Sequence, residues 1–578
     1  MRRRRSVRAR AIAVELAVAL VLVAGAVRGE FPRDGSNFQG KHACRLRTRV
    51  ARPKTTRDVS EVVRVSASAR VNGAGHSWHA GLFCPGTEDG TRIDVSETRS
   101  VEASERFAVD ERAMVVRADA GLITRDLLDG LARRGFTLPA FPWFIDQTIG
   151  GAVATASHGS SLRAGSLSSQ LVACTIVLAD GSVKHYDAGS VKHYDEGSTS
   201  HALFNALRAN VGRLGVVVDV TLRIVPNTRI TRRSEDVSPG EFVNEMFRVQ
   251  STVRDCERDH ADDFNAQWTC AMSRPEVLAL DETQFFWYIP LGEMSRITFQ
   301  REERMPEFQA YDERATSAAM KSVNLGFLTS GDLIRNSPTP VRDITSAVTL
   351  MSNDAMAATW ARQWKRATAI NIAPVTDEQR DSFISMTETQ YEMHERFGYE
   401  QLEVGIPLTK AGDCMRAFKD ALYDSRELSM GFRSQALIRF IKPETAWLSP
   451  ANGRLGTMYI NIEDFVKYSR VFDRRGNARF EAAVKLLRGE QCQGRLHWGK
   501  YGFPKPGCFD GPSEYGLSYC HYGCAVARLD PSDKFAGDSD TLRFSGINLK
   551  KCCGDDGLFK ESASCKCTLN DRKPTSEC

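Results

Sequence analysis

Apolar and polar positions alternate in two different periods along the first third of the chain. In "TTRDVSEVVRVSASA" the apolar residues recur at helical spacing behind a Thr/Asp start, which predicts a capped helix. "ARVNGAG" reads as a short strand running into a glycine turn, and "AMVVRADAG" as another strand. "ITRDLLDGLARRG" has an amphipathic helical pattern closed by Gly135. "LVACTIVLADGSVKHYD" predicts two strands joined at Asp180-Gly181, since Asp-Gly favours the positive φ angles of a tight hairpin. A helix over "HALFNALRANVGRLG" and a β-rich strand "VVVDVTLRIVP" stopped by Pro226 complete an α+β unit. From about residue 230 the pattern changes. Helical stretches such as "DEQRDSFISMTETQYEMHERFG" mix with strands at "QLEVGIPL", "QALIRFI" and "TMYINIE", predicting a second α+β unit. With 578 residues the chain is too long for one simple core.

The ends of the chain differ from this middle. "MRRRRSVRARAIAVELAVALVLVAGAVRGE" places a cationic segment before an apolar run, the order of a secretory signal peptide over residues 1–29. Retained, the same segment would act as a membrane anchor, and the expected location is the ER lumen or outside the cell. Nine of the 15 cysteines lie after residue 490. In a secreted chain that density predicts disulfides; the rival reading is zinc through "CHYGC" and "CKC", whose irregular spacings match no familiar zinc module. Because 15 is odd, at least one thiol is unpaired or bonded to another chain. The eight residues "GSVKHYDA" (181–188) are followed in tandem by "GSVKHYDE" (189–196), read as a lengthened surface hairpin with His185 and His193 exposed. The net charge of +5 resides partly in the Arg-rich start, which argues against nucleic acid as a partner.

Three small-residue segments carry the candidate chemistry. "VNGAGHSWHAG" offers Asn72, Gly73, Ala74, Gly75, His76 and Ser77 just after a strand, where free backbone N–H groups could hold a pyrophosphate. Alone the signal is weak, because "GAG" lacks the third glycine and the downstream acid of a dinucleotide fingerprint. A metal site using His76 and His79 would need a helix that the flanking glycines oppose. "IGGAVATASHG" adds Gly150, Gly151, Thr155, Ser157 and His158, and "LGVVVDVTL" adds Gly215, Val216 and Val217.

With "RLHWGKYGF" (495–503) and "ALIRFIKPETAWLSPANGR" (436–454), this ordered set resembles the FAD-linked oxidoreductases of the vanillyl-alcohol oxidase type, and within them the sugar-1,4-lactone oxidases. The resemblance spans roughly residues 47–503. It implies a PCMH-type FAD-binding domain (47–228), a substrate domain (229–503) and a Cys-rich tail (504–578) outside the family pattern. It implies FAD held covalently through His76, and no second cysteinyl link, since "SHGSSLRAG" contains no cysteine. It implies oxidation of an aldono-1,4-lactone at C2 with O2 as acceptor, giving ascorbate or an analogue. Arg439 and Lys500 are its cationic catalytic candidates, with His497 to accept or relay a proton. Plain ion pairs of Arg439 with Glu444 or Glu463, and packing of His497 beside Trp498, are the alternatives. Many relatives carry a glutamate two residues before this arginine; Leu437 stands there, and Glu403 is another acid on a predicted strand. Substrate specificity is therefore open: another sugar or alditol, or a secreted binding protein that keeps the fold without turnover, are the competing functions.

Overall fold

The computed structural model describes residues 36–301 and 400–569, apart from 189–198, 425–434, 465–475, 503–508 and isolated positions, and also Ala361, Arg362 and Lys365. The leader, His193 in the second repeat copy and the helix expected over 377–398 lie outside the described residues. No helix among the described residues is long and apolar enough to cross a membrane.

Two larger sheets build the first unit, beside a two-stranded antiparallel pairing of Phe136–Thr137 with Val225–Pro226. Strands β1 (Arg49–Ala51), β2 (Ala69–Asn72) and β3 (Thr91–Asp94) form a parallel sheet in the order β1-β3-β2. Helix α1 (Thr56–Val65) packs beside it, begun by a capping box in which Thr55 and Asp58 satisfy each other's backbone N–H groups. Its buried Val59 and Val63 share a core with Ile93 of β3 and Val216 and Val218 of the second sheet. That sheet is antiparallel, with β4 (Phe107–Asp110), β5 (Val115–Asp119), β6 (Leu171–Val177), β7 (Val183–Asp187) and β8 (Val216–Arg223) in the order β4-β5-β8-β6-β7. Helices α2 (Thr124–Ala132), α3 (Ile149–Ala154) and α4 (Thr199–Arg208) complete the unit. The β6–β7 hairpin turns at Gly181, whose φ of +82° is the conformation the Asp-Gly pair predicted. His185 is exposed on β7.

The second unit is one seven-stranded sheet. Its strands are β9 (Ile230–Val237), β10 (Thr283–Tyr288), β11 (Glu293–Arg301), β12 (Glu400–Pro407), β13 (Ala436–Ile441), β14 (Thr457–Asp464) and β15 (Arg495–Leu496). They lie in the order β9-β11-β10-β13-β14-β12-β15. Helices α5 (Pro239–Asp259) and α6 (Ala411–Asp424) cover one face. The period-2 alternation of a strand decides which residues meet them. Leu402, Val404, Ile406, Ala436, Ile438, Phe440, Met458, Ile460 and Ile462 enter the helix-covered core. The intervening residues Gln401, Glu403, Leu437, Arg439, Asn461 and Glu463 face the other way and line a cavity.

The Cys-rich segment is folded against the first unit. Its helix α8 (Leu517–Leu529) follows α7 (Gly476–Arg488) of the substrate unit along the chain. Cys520–Cys567, Cys524–Cys553 and Cys552–Cys565 are disulfides, so one bond joins "CHYGC" to "CKC" and the other cysteine of each motif pairs with Cys553 or Cys552, which leaves no thiolates for a zinc site there. Cys492 belongs to the substrate unit, bonded to Cys414. Among the described residues Cys174 is a free thiol, buried in β6. The segment reaches the glycine loop. Buried Arg70 on β2 donates to the carbonyls of Leu82, Val211, Gly212 and Phe535, and Arg213 pairs with Asp530 and Asp533.

A non-reducing digest should recover the three tail linkages, and EDTA should leave Tm unchanged. Reduction should lower stability by about 2–5 kcal/mol per bridge removed. Zinc recovered stoichiometrically with loss of folding on chelation would overturn the disulfide assignment.

Candidate active site

The turn after β2 is built for close approach. Gly75 has φ +71°, and a Cβ on Gly73 would fall 2.0 Å from the Thr148 hydroxyl oxygen. A Cβ on Gly150 would meet Ala120 at 2.7 Å. These glycines keep two backbone segments in contact across an open cavity lined by Asn72, Gly73, Ala74, Gly75, His76, Ser77, Gly150, Gly151, Thr155, Ser157 and Val217. His158 lies outside this lining, and Gly215 and Val216 do not line it either; a Cβ on Gly215 would strike the Val177 carbonyl at 2.6 Å, so its role is close strand packing. Gly212, the first glycine of the pair in "NVGRLG", also lines the cavity, as do Gln147, Thr148, Asn210 and Val211, which lie in or beside the same small-residue segments but were not singled out.

A second, polar cavity opens on the facing sheet. It shares His76, Gln147, Ser157, His497 and Lys500 with the first, so those five residues sit at the junction. Here Glu403 is 1% exposed and accepts a hydrogen bond from Arg439 Nη2, while Arg439 Nη1 donates to the His158 carbonyl at 2.8 Å. His158 Nε2 lies 3.5 Å from the same carboxylate. Arg439 therefore pairs with neither Glu444 nor Glu463; Glu444 instead accepts from Ser166 N and Ser449 Oγ. Burial alone would raise the Glu403 carboxyl, but Arg439 and the two imidazoles outweigh it and hold it well below the usual range.

Register explains how Glu403 comes to sit beside a residue 36 positions away. Leu437 on β13 and Glu403 on β12 are both paired with Asn461 on β14, so all three lie in one row across the sheet. The acid missing at Leu437 is matched by one two strands away. Lys500 Nζ donates to Gln401 Oε1, and Gln401 Nε2 donates to Asn461 Oδ1 at 3.1 Å and Glu463 Oε1 at 2.7 Å. Burial pushes the Lys500 ammonium below its ordinary value, with Glu403 acting against that shift. His497 is buried, which pulls its pKa to about 3, and its Nδ1 accepts the Gly499 N–H at 3.1 Å. The Gly499 N–H holds Nδ1 of this buried ring as an acceptor, which leaves Nε2 as the nitrogen facing away from that bond.

His76 has a different environment. Both ring nitrogens are sealed from solvent with no hydrogen-bond partner, and burial pulls its pKa to about 3. Leaving a buried imidazole with nothing to bond is costly. The orphaned ring at the mouth of the glycine cradle fits the edge of a flat dinucleotide cofactor held there.

Known proteins agree. A family model described as FAD binding domain matches residues 48–187, and one described as D-arabinono-1,4-lactone oxidase matches 280–538. The chain thus joins a FAD-binding domain to a region similar to the D-arabinono-1,4-lactone oxidases. This lactone oxidase relative is 23% identical to L-gulono-1,4-lactone dehydrogenase of Mycobacterium tuberculosis, over 87% of the chain and 97% of that protein. It is 30% identical to D-arabinono-1,4-lactone oxidase of Saccharomyces cerevisiae, over 31% of the chain and 33% of that protein. Its fold is similar to that of a solvent-stable cholesterol oxidase, with a TM-score of 0.58 at 14% identity, covering 87% of this chain and 95% of that one. The flavoenzyme is therefore an oxidoreductase that uses FAD, with the PCMH-type α+β fold.

Glu403→Gln should leave the buried Arg439 guanidinium without its counter-charge and cost about 3–5 kcal/mol in chemical denaturation. A loss below 1 kcal/mol would show that the pair is not buried as described. Gly73→Val should yield protein without bound flavin, read from the visible absorption of the purified variant.

Proposed function

We propose that the enzyme oxidises an aldono-1,4-lactone at C2 to give ascorbate or an analogue, with O2 as electron acceptor and FAD attached covalently through His76. The observation that carries this reading is the junction of the two cavities, where one wall is a glycine cradle and the other a row of hydroxyl-binding groups. FAD, when bound, supplies the hydride acceptor. Asn72–Ser77, Gly150, Gly151, Thr155 and Ser157 would hold it, and His76 would bond its edge. Arg439 and Lys500 place fixed positive charge where negative charge develops as the hydride is transferred. His497 offers Nε2 to the substrate, and Glu403 keeps the Arg439 guanidinium in place. Gln401, Asn461 and Glu463 offer amide and carboxylate groups for the lactone hydroxyls.

The same polar row would also accept an open-chain alditol, and Leu437 in place of the usual acid favours keeping that second substrate class in view. Six disulfides among the described residues support a secretory route with an oxidising destination. The cationic and apolar leader would serve as its signal peptide, or as an anchor if retained.

Oxygen uptake measured with L-gulono-, L-galactono- and D-arabinono-1,4-lactone and with an alditol tests the substrate, and an artificial acceptor under argon tests oxidase against dehydrogenase. Turnover of alditols alone would displace the lactone reading. Acid-precipitated protein should retain its flavin; release of all of it into the supernatant would refute the His76 bond. Arg439→Ala should lower kcat/KM by about 10²-fold or more. Lys500 acts as a cation in its protonated form, so activity should fall as pH rises through its depressed pKa, below the ordinary lysine value of roughly 10.4. Lys500→Arg should move that alkaline limb upward; a rise in activity on deprotonation would instead make Lys500 a proton acceptor.

A further inference from the structure

Phe38 precedes both segments matched by the family models, yet it lines the polar cavity beside His76, Trp78, Pro142 and Phe144. Its position is fixed from several directions. The arm doubles back on itself: Asn37 N donates to the His42 carbonyl at 2.7 Å, and Ser36 bridges Ala43. Cys44 then ties the arm to Cys84, just beyond the short turn that follows the glycine loop. Phe38 N donates to the Gly75 carbonyl at 3.0 Å, and Asn37 Nδ2 donates to the Ser77 carbonyl at 3.2 Å. These two bonds flank His76 on either side. The Phe38 ring lies 4.4 Å from the His76 ring and meets Trp78 edge-on at 5.3 Å.

We infer that this disulfide-tethered arm is a wall of the substrate site and that Phe38 is a specificity-determining residue for the lactone. The inference rests on the proposed lactone chemistry. A sugar lactone has hydroxyl-bearing edges and an apolar C–H face. The row Gln401, Asn461 and Glu463 suits the hydroxyls, and an amide–carboxylate row gains nothing from C–H groups. A rigid phenyl ring suits the C–H face, burying apolar surface with few torsions to freeze. The arm thus adds to the sheet a surface contributed by the segment around Phe38. Substrates with bulk projecting from that face would meet Phe38 and be rejected.

Phe38→Ala should raise KM for the best lactone about tenfold or more, with a much smaller effect on kcat, and flavin content should stay at the wild-type level. Phe38→Trp should recover most of the affinity, and Cys44→Ser with Cys84→Ser should move KM in the same direction as Phe38→Ala. The rate at which sulfite bleaches the bound flavin gives a readout without substrate, and it should rise several-fold in Phe38→Ala as the wall is opened. Unchanged KM together with unchanged sulfite reactivity would overturn the inference. Loss of flavin from Phe38→Ala would also overturn it, because the ring would then be holding the cofactor. If wild-type enzyme turned over no lactone, the proposed function would fail, while the sulfite comparison would still decide whether Phe38 closes the cavity.

Discussion

The buried carboxylate of Glu403 is the constraint on which the rest of the site depends. A charge taken from water is tolerated only when paired and hydrogen-bonded. Glu403 meets that condition through Arg439, with His158 beside it, and each of those residues comes from a different part of the chain. Arg439 in turn reaches back to the His158 carbonyl in the flavin-binding unit. One ion pair therefore joins two strands of the substrate sheet to the second small-residue segment of the cofactor cradle. Neither unit could slide against the other without uncovering a charge.

The same logic runs through the periphery. Arg70 lies beneath the glycine loop and holds four carbonyls, one of them from Phe535 in the C-terminal segment. The N-terminal arm lies across the other side of the loop, with backbone bonds on both flanks of His76. A loop rich in glycine gains close approach to a ligand at the expense of its own rigidity. The N-terminal arm, tied down by Cys44–Cys84, and the internally cross-linked tail, held through Arg70 and Arg213, restore that rigidity from outside, which gives the cysteine-rich tail a structural role close to the glycine loop.

The helices, hairpin and strands read from periodicity formed as expected at Thr56–Val65, Ala69–Asn72, Leu171–Asp187, Ala436–Ile441 and Thr457–Asp464, because their local patterns and turn residues agree with their burial. The glycine cradle was legible too: Gly73 and Gly150 stand where any side chain would collide, and that demand is written into residue type. For His497 residue type alone was less informative. Residue type names an imidazole, but the bond from Gly499 N–H and the depth of burial decide its tautomer and charge.

The sequence by itself determined the elements, the flavin family and the residue types of the site, since these follow from short-range spacing. Strand register, which belongs to no single segment, was decided by the tertiary structure. It placed Glu403 in one row with Leu437 through Asn461, gave Arg439 a partner other than Glu444 or Glu463, and assembled Gln401, Asn461 and Glu463 into one polar row. It also carried Phe38 to the cavity wall. That contact depends on where a disulfide and two backbone hydrogen bonds hold the arm, and no local pattern around Phe38 encodes it.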